Sequence, residues 1–303
     1  MPSSSFLNIN GDKKQNKIKL FFYLILNLFQ NLYLSSFSRK FRYLKLRNKY
    51  IYFKFNNEHS ISRKLCTLFW KNLNWKNIVK TIGKLKILEL GPGTGKYFKN
   101  DVSIHERYIK KYSGYDIKSY PNWKKIKNKK YSFNKFDGKN FNKALNYNNN
   151  LIISQSCLEH VKFDLKFFDD VKKISIKKKQ KKLLIHCLPS PFCLFTYLAH
   201  GYRQYNVENL NRISSVLGSN NVFVVKLGNL NLNFEHLKKT TFPLIFKKKN
   251  LMKMQNNSYY KFINKKILKN SNTSFFFSSF IVLVGFINFS KSEKEKLINN
   301  FYL

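Results

Sequence analysis

Short apolar runs alternate with stretches of helical periodicity along the middle and end of the chain. Each run is long enough for one strand, and the stretches between them repeat apolar residues every three or four positions. The runs are Lys86–Leu90, Tyr112–Ile117, Tyr131–Phe136, Leu151–Gln155, Lys182–Leu188, Asn221–Leu227 and Phe275–Asn288. Such alternation is typical of a parallel sheet with helices on both faces. We therefore predict an α/β fold with a Rossmann-like, seven-stranded, mostly parallel sheet.

The segments outside this pattern define the predicted organisation of the chain. Residues 1–60 are first polar, then apolar and basic, and we predict that they form an N-terminal helical extension. Ile61–Ile82 carries apolar residues at helical spacing, which predicts an amphipathic helix. The remaining chain, 61–303, is predicted to be one domain. Its parts are a core at 80–230, a lysine- and asparagine-rich insertion at 228–273, and a last strand at 275–288.

The apolar segment Lys17–Leu34 has three alternative placements. Asn27, Gln30 and Asn31 interrupt it, and it is shorter than the roughly 20 apolar residues that span a bilayer. No small-residue cleavage site follows it. These features favour a packed N-terminal helix, and an interfacial membrane helix or a membrane-spanning helix are the alternatives.

The sequence KILELGPGTGKYF (residues 86–98) places three glycines where a strand is predicted to end. A phosphate-binding P-loop needs four residues between its glycines and a hydroxyl after its lysine. Here only three residues separate Gly91 from Gly95, and Tyr97 follows Lys96, so neither requirement is met. The dinucleotide pattern G-x-G-x-x-G also fails, because a larger residue occupies its sixth position in either register.

The pattern that fits is E-x-G-x-G-x-G, formed by Glu89, Gly91, Gly93 and Gly95. It resembles the class I S-adenosylmethionine (SAM)-dependent methyltransferases, over about residues 80–230 and the last strand. The resemblance implies SAM as the cofactor. SAM carries no phosphate, and its amino-acid end and ribose must lie against bare backbone, which glycine provides. The N-terminus of the helix that follows would offer N–H groups to the carboxylate of SAM.

Further matches occur where later strands end, which is where ligands of open α/β sheets bind. Asp116 in YSGYDI would accept the ribose hydroxyls, and Asp137 in NKFDG would lie near the adenine amino group. LIISQSCLEHV contains the form Leu158–Val161 that is common in type 11/12-like members of the family. The cofactor contacts implied by the resemblance are Glu89, Gly91, Gly93, Gly95, Asp116, Asp137 and Ser154.

Candidate catalytic and substrate residues follow the cofactor motif. His160 is the predicted general base, because imidazole titrates near neutrality and can take a proton from an acceptor hydroxyl. A helix-capping or core-edge histidine is the alternative, and we expect His186 to be a packing residue at a strand end. The segment HGYRQYNVENL resembles the part of the family that lies near substrate. The predicted substrate contacts are Glu159, Tyr202, Arg203 and Tyr205.

The cysteine pattern predicts no structural metal. Cys66, Cys157, Cys187 and Cys193 form no CxxC pair, and no His/Cys cluster has zinc spacing. In some quinone O-methyltransferases similar to the LEHV motif, nearby acidic and histidine residues bind a divalent metal. That property is not carried over here, and we expect no metal.

The net charge of +42 suggests a polyanionic partner, but the kind of basic residue weakens that inference. Nearly all basic residues are lysine, and lysine, asparagine, isoleucine, phenylalanine and tyrosine share A/T-rich codons. Proteins that grip phosphate also use the planar guanidinium of arginine. Background composition is the favoured explanation, and a real anionic surface or substrate is the alternative.

The leading functional hypothesis is a SAM-dependent methyltransferase that acts on a small-molecule, glycan or lipid-precursor acceptor, with O-methylation expected. A methyltransferase of RNA or protein is the second hypothesis. It is less favoured because SQSCLEH stands where base N-methylating enzymes carry Asn/Asp-Pro-Pro-Tyr/Phe. A non-catalytic basic protein that keeps the fold is the third. We expect a cytoplasmic protein, with peripheral contact at the inner face of an anionic membrane as an option.

Overall fold

The computed structural model describes residues 9–13, 16–33, 42–44, 46, 55, 57, 59–95, 106–138, 140–145, 148–247, 251–269 and 275–303. Within these residues, eight strands form one sheet in the order β1-β7-β8-β6-β5-β2-β3-β4. The strands are β1 Arg42–Leu44, β2 Leu85–Leu90, β3 Ile109–Asp116, β4 Tyr131–Lys135, β5 Leu151–Gln155, β6 Lys182–Pro189, β7 Val222–Leu227 and β8 Phe280–Ile287. β8 is antiparallel to both of its neighbours, and the other pairs are parallel.

Helices cover both faces of the sheet. They are α1 Lys17–Tyr33, α2 Ile61–Asn72, α3 Trp75–Ile82, α4 Asn122–Ile126, α5 Asn142–Leu145, α6 Asp164–Lys177, α7 Cys193–Tyr197, α8 Val207–Leu217, α9 Leu230–His236, α10 Phe242–Lys247, α11 Asn257–Leu268 and α12 Lys291–Asn299. One core lies between the sheet and α2, α3, α11 and α12, and a second lies between the sheet and α5, α6 and α8. The central strands are buried on both faces, as expected for a mostly parallel sheet.

The predicted seven-stranded sheet needs one correction. Each predicted run contains a strand, but an eighth strand, β1, comes from the N-terminal extension and pairs in parallel with β7. The three residues of β1 are too short and too polar to be recognised as a strand from their own pattern. The α/β architecture with helices on both faces is confirmed.

The segment predicted as one helix over Ile61–Ile82 is two helices, α2 and α3. The break falls at Leu73 and Asn74, where Leu73 takes an extended conformation. The Asn74 side chain accepts a hydrogen bond from the backbone N–H of Asn77 and so begins α3. Apolar spacing continues across the break, and the periodicity alone therefore misses the cap.

The segment predicted as an insertion, 228–273, lies between β7 and β8 and is helical where the structure describes it. It contains α9, a π-helical turn at Leu237–Thr241, then α10 and α11. Asn233 and Thr241 tie this segment to Phe277 and to Thr196 of α7 through hydrogen bonds. Whether the segment is an insertion relative to other proteins of this architecture stays a prediction.

α1 packs on the domain next to α7, at the end of the sheet where the parallel strands finish. In the parts of the chain that the structure describes, no helix combines the length and the apolar character needed to cross a bilayer. The packed helix predicted for Lys17–Leu34 is therefore found, with its end at Tyr33.

Candidate functional site

The turn after β2 is built from three glycines in the left-handed region. Gly91, Gly93 and Gly95 have φ values of +68°, +54° and +76°. An L-residue pays roughly 1–2 kcal/mol for this conformation. A Cβ on Gly91 would lie 2.6 Å from Cys157 Sγ, whereas a Cβ on Gly93 would meet no atom of the described residues within 4 Å. The turn therefore folds tightly against Cys157, which follows β5, and Gly93 presents bare backbone that the described residues do not cover.

Asp116 ends β3 beside this turn. Its carboxylate accepts hydrogen bonds from the backbone N–H groups of Gly93, at 2.9 Å, and Lys118, at 3.1 Å. The indole N–H of Trp123 donates to the Gly93 carbonyl at 2.8 Å. The structure thus brings the predicted ribose-binding acid into contact with the glycine turn. The helix expected to follow Gly95 falls in residues 96–105, outside the described residues.

Glu89 lies inside the sheet, one residue before the end of β2. The phenol of Tyr112 on β3 donates a hydrogen bond to its carboxylate at 2.5 Å. Burial raises the pKa of Glu89 to about 7, although the Tyr112 hydrogen bond acts in the opposite direction. A carboxylate poised in this way gains its charge near neutrality, and a bound cation would favour the charged form.

Two other predicted cofactor contacts have different environments. Asp137 is exposed after β4 and accepts a hydrogen bond from the backbone N–H of Asn140. Ser154 is not placed as predicted, because its hydroxyl is buried and hydrogen-bonded to His186 at 2.8 Å. His186 packs edge-on against Phe167 and Phe168 of α6, so it is the packing residue that we expected. This pair belongs to the core under α6 rather than to the uncovered backbone at Gly93.

A cluster of ionisable side chains forms where β5 ends. Leu158–His160 make a 3₁₀ turn, and the His160 ring lies edge-on to the ring of His200 with centroids 4.7 Å apart. Asp12, from the N-terminal extension, bridges the two: its carboxylate oxygens lie 2.7 Å from His160 Nδ1 and 3.2 Å from His200 Nδ1. The sequence analysis singled out neither Asp12 nor His200.

Glu159 faces the other side of the same two rings. It is fully buried, and among the described residues neither carboxylate oxygen has a hydrogen-bond partner. Its Oε1 lies 3.8 Å from His160 Nε2 and 3.7 Å from His200 Nε2. A buried carboxylate without hydrogen bonds is costly unless a cation compensates it. The two imidazoles therefore stand between the Asp12 and Glu159 carboxylates.

The charges in this cluster shift its titrations. Burial alone would lower the pKa of His200, but the close contact with Asp12 and the charges of Asp12 and Glu159 outweigh it and raise the pKa to about 9. Burial alone would raise the pKa of Asp12, but its two histidine partners hold it well below its usual range. Both shifts favour the charged forms, an imidazolium at His200 and a carboxylate at Asp12.

These atoms can serve two chemical roles. An imidazole held by a carboxylate at one nitrogen presents the other nitrogen as a base, as in a catalytic Asp–His pair. Alternatively, Asp12 and one ring nitrogen of each histidine form a two-histidine, one-carboxylate set suited to a divalent cation, with ligand atoms within 4.8 Å of one another. We expected no metal from the sequence, and this donor set fits one.

A cavity of about 330 Å³ opens beside the cluster. Its lining includes His200 of the cluster. The lining also includes Gln155 and Ser156, where β5 ends, and Ser60 and Arg63, where α2 begins. Ser156 is a non-glycine residue with a φ of +48°. Backbone strain of this kind concentrates at functional positions.

Arg203 and Tyr205 are not placed to contact a substrate as predicted. Arg203 is 1% exposed, donates to the carbonyls of Val161 and Lys162 at 2.8 Å, and pairs with Asp164 at 3.1 Å. Tyr205 is fully buried, and its hydroxyl donates to the same Asp164. The rarity of arginine singled out Arg203, but its role here is internal. The network holds the segment after His200 against the segment after His160.

Tyr202 remains at the surface of this segment. It is partly exposed, and its backbone N–H donates to the Glu159 carbonyl at 2.7 Å. Gly201 allows this approach, since a Cβ there would lie 2.7 Å from that carbonyl oxygen. Of the predicted substrate residues, Tyr202 and Glu159 adjoin the histidine cluster.

No protein-family model matches the chain, and no curated protein matches it. Solved structures similar to it include the plantazolicin methyltransferase BamL in complex with a triazolic desmethylPZN analogue and SAH. That match has 10% identity and a TM-score of 0.42, and covers 90% of this chain and 87% of that chain. The methyltransferase domain of bacterial CtHen1-CN matches with 12% identity and a TM-score of 0.41, covering 75% and 99%. The plantazolicin methyltransferase BpumL with SAH matches with 11% identity and a TM-score of 0.39, covering 74% and 82%. Each of these three TM-scores is below 0.5.

Proposed function

We propose that the chain is a SAM-dependent methyltransferase. The observation that carries the proposal is the left-handed turn Gly91–Gly95, which lies between Glu89 and Asp116 at the edge where the parallel strands end. Open α/β sheets bind their ligands at this edge. The uncovered backbone at Gly93 admits a ligand, and Glu89 and Asp116 suit the ammonium and ribose of SAM.

The reaction is an in-line displacement. The acceptor oxygen forms a bond to the methyl carbon, the bond from that carbon to the sulfonium breaks, and neutral S-adenosylhomocysteine leaves. The protein holds acceptor and cofactor in line, and such positioning supplies much of the rate. The acceptor's proton goes to a base, and His160, whose Nδ1 is held by Asp12, is the base that we propose.

A small-molecule, glycan or lipid-precursor hydroxyl is the acceptor we favour. The cavity beside His200 is of the size that takes a small ligand or one end of a larger one. Methylation of RNA or protein is the alternative. Labelled methyl transfer from SAM into separated lipid, glycan, protein and RNA fractions distinguishes them, because the favoured acceptor predicts no label in protein or RNA.

A divalent cation is the second candidate role for the cluster. The Asp12 carboxylate, which lies close to one ring nitrogen of each histidine, favours it. Asp12, His160 and His200 would hold the cation, which would polarise an acceptor oxygen. Elemental analysis of the purified protein tests this role, with Asp12→Asn expected to lose the metal. Metal-free protein with full transfer activity would leave His160 as the base.

Cofactor binding is the first test. We expect calorimetry to show saturable binding of SAM and S-adenosylhomocysteine to the purified chain. Asp116→Ala should lose this binding, while Asp169→Ala should retain it, because Asp169 pairs with Lys173 on the surface of α6. A folded wild-type protein that binds neither ligand would overturn the proposal and favour the non-catalytic basic protein.

A further inference from the structure

α1 is attached to the domain by its polar face. Tyr23, Asn27, Gln30 and Asn31 are buried and recur at helical spacing. The Tyr23 hydroxyl donates to the His200 carbonyl at 2.9 Å, and the Gln30 carbonyl accepts from the Asn206 side chain at 3.2 Å. The polar residues that interrupt the apolar segment are therefore on the buried side of α1 that faces the domain.

The opposite face of α1 is apolar and exposed. Six large side chains on it are between 38% and 67% exposed. They are Ile18, Phe21, Phe22, Ile25, Leu26 and Phe29, and we refer to them as the α1 apolar face. A helix packed on a globular domain usually has the reverse arrangement, with apolar residues inward. An exposed contiguous apolar face of this kind marks an interaction site.

The charge around this face selects its partner. α1 contains no acidic residue, and Lys17 and Lys19 are exposed in its first turn, where the helix dipole favours acidic residues instead. The whole chain carries a net charge of +42. A second copy would bring the same charge and be repelled, whereas an anionic membrane surface attracts lysines beside an inserted apolar face.

We propose that the α1 apolar face inserts into the interfacial region of an anionic membrane. The helix lies along the surface with its side chains between the headgroups, and lysines of the chain contact the lipid phosphates. Because Tyr23 binds the His200 carbonyl, α1 holds the membrane close to the histidine cluster and its cavity. Membrane binding does not depend on the proposed methyl transfer, and it gives a lipid-linked acceptor a route to the site.

Vesicle flotation of the full chain tests this proposal. Phosphatidylcholine vesicles with and without phosphatidylglycerol serve as the probes, in the absence of SAM. We expect binding to the anionic vesicles and much weaker binding to the neutral ones. Phe21→Gln/Ile25→Gln/Phe29→Gln should lower partitioning into anionic vesicles by tenfold or more, since each position loses burial of a large apolar side chain.

A matched pair of single variants separates the face from general surface effects. Ile25→Gln should weaken binding, and Ile176→Gln on α6 should not, although the two isoleucines are 46% and 53% exposed. All four positions are exposed, so the variants should keep the circular dichroism and thermal midpoint of the wild type.

Three results would overturn the proposal. One is equal partitioning on neutral and anionic vesicles, and another is undiminished binding by the triple variant, which would assign binding to surface lysines alone. The third is a dimer in solution that the triple variant dissociates, without vesicle binding by the wild type. Calorimetry with SAM on the same samples distinguishes a failure here from a failure of the methyltransferase proposal.

Discussion

A comparison of Gly93 with Gly83 distinguishes the energetic cost of a left-handed backbone conformation from a role in cofactor binding. Both have a positive φ, +54° and +79°, and a Cβ on either would meet no atom of the described residues within 4 Å. We expect Gly93→Ala and Gly83→Ala each to lower the free energy of unfolding by about 1 kcal/mol, measured by urea titration. Only Gly93→Ala should also weaken SAM binding, by about tenfold or more, because its methyl group enters the proposed cofactor space. Equal SAM affinity in the two variants would mean that Gly93 does not line the cofactor site.

Glu89 predicts a pH dependence of cofactor binding. Because burial raises its pKa to about 7, the carboxyl is protonated below that pH and charged above it. The ammonium of SAM favours the charged form, so affinity should rise from about pH 5.5 to 7.5, with a limit of tenfold per pH unit. Calorimetry across this range measures the effect. Glu89→Gln should bind SAM more weakly, and its affinity should no longer depend on pH. A pH dependence that persists in this variant would mean that another group causes it.

The sequence analysis located those residues whose partners lie at the ends of neighbouring strands. Glu89, Gly93 and Asp116 belong to strand ends that neighbour each other in the sheet, and the alternation of elements was enough to bring them together. Asp12 carries no such signal, since it lies outside every predicted strand and meets His160 across a separation of 148 residues. The burial of Ser154 could not be predicted either, because the sequence does not show whether a serine at a strand end faces a ligand or a core histidine.

The segment after His200 depends on the buried Arg203–Asp164–Tyr205 network. Arg203→Met removes one charge and leaves the buried Asp164 carboxylate without the cation that pairs with it, so it should lower the free energy of unfolding by about 3–5 kcal/mol. Arg212→Met is the matched control. Arg212 forms a half-buried pair with Glu208 within α8, and its loss should cost about 0.5 kcal/mol or less. Urea unfolding measures both. If Arg203→Met proved stable but raised KM for the acceptor, the original substrate-binding prediction would be restored.

At the scale of elements, the sequence located each core strand and the packed helix α1. It did not show which way α1 faces. Asn27, Gln30 and Asn31 were interpreted as interruptions of an apolar segment, although all three are buried and the Asn31 side chain donates to Pro191 and Gln204 of the domain. Hydrophobic periodicity predicts orientation only when apolar residues face the protein, and α1 reverses that assumption.

His186 makes the stability of the whole molecule depend on pH. Burial lowers its pKa to about 3, whereas the ordinary value is 6.5. The folded state therefore keeps His186 neutral where the unfolded chain binds a proton. The contribution of neutral His186 to the free energy of unfolding is complete above pH 6.5. It is lost as pH falls through 6.5 toward 3, by about 1.4 kcal/mol per pH unit.

Ser154→Ala/His186→Leu tests this linkage without leaving a hydroxyl unpaired. We expect the free energy of unfolding of the variant to fall less steeply than that of the wild type between about pH 6 and 4, by the equivalent of one proton. Ser154→Ala alone should keep the wild-type slope. Urea titrations at several pH values give the comparison, and identical slopes in all three proteins would mean that His186 titrates normally.

The N-terminal extension meets partners that are synthesised long after it. Asp12 binds the backbone of Gly201 across 189 residues, and Tyr23 binds His200 across 177. At about 5–20 residues per second, a ribosome takes roughly ten to forty seconds to supply those partners. The apolar helix of the extension is thus left undocked while these partners are made. Completion of the histidine cluster therefore requires synthesis of the chain at least as far as His200.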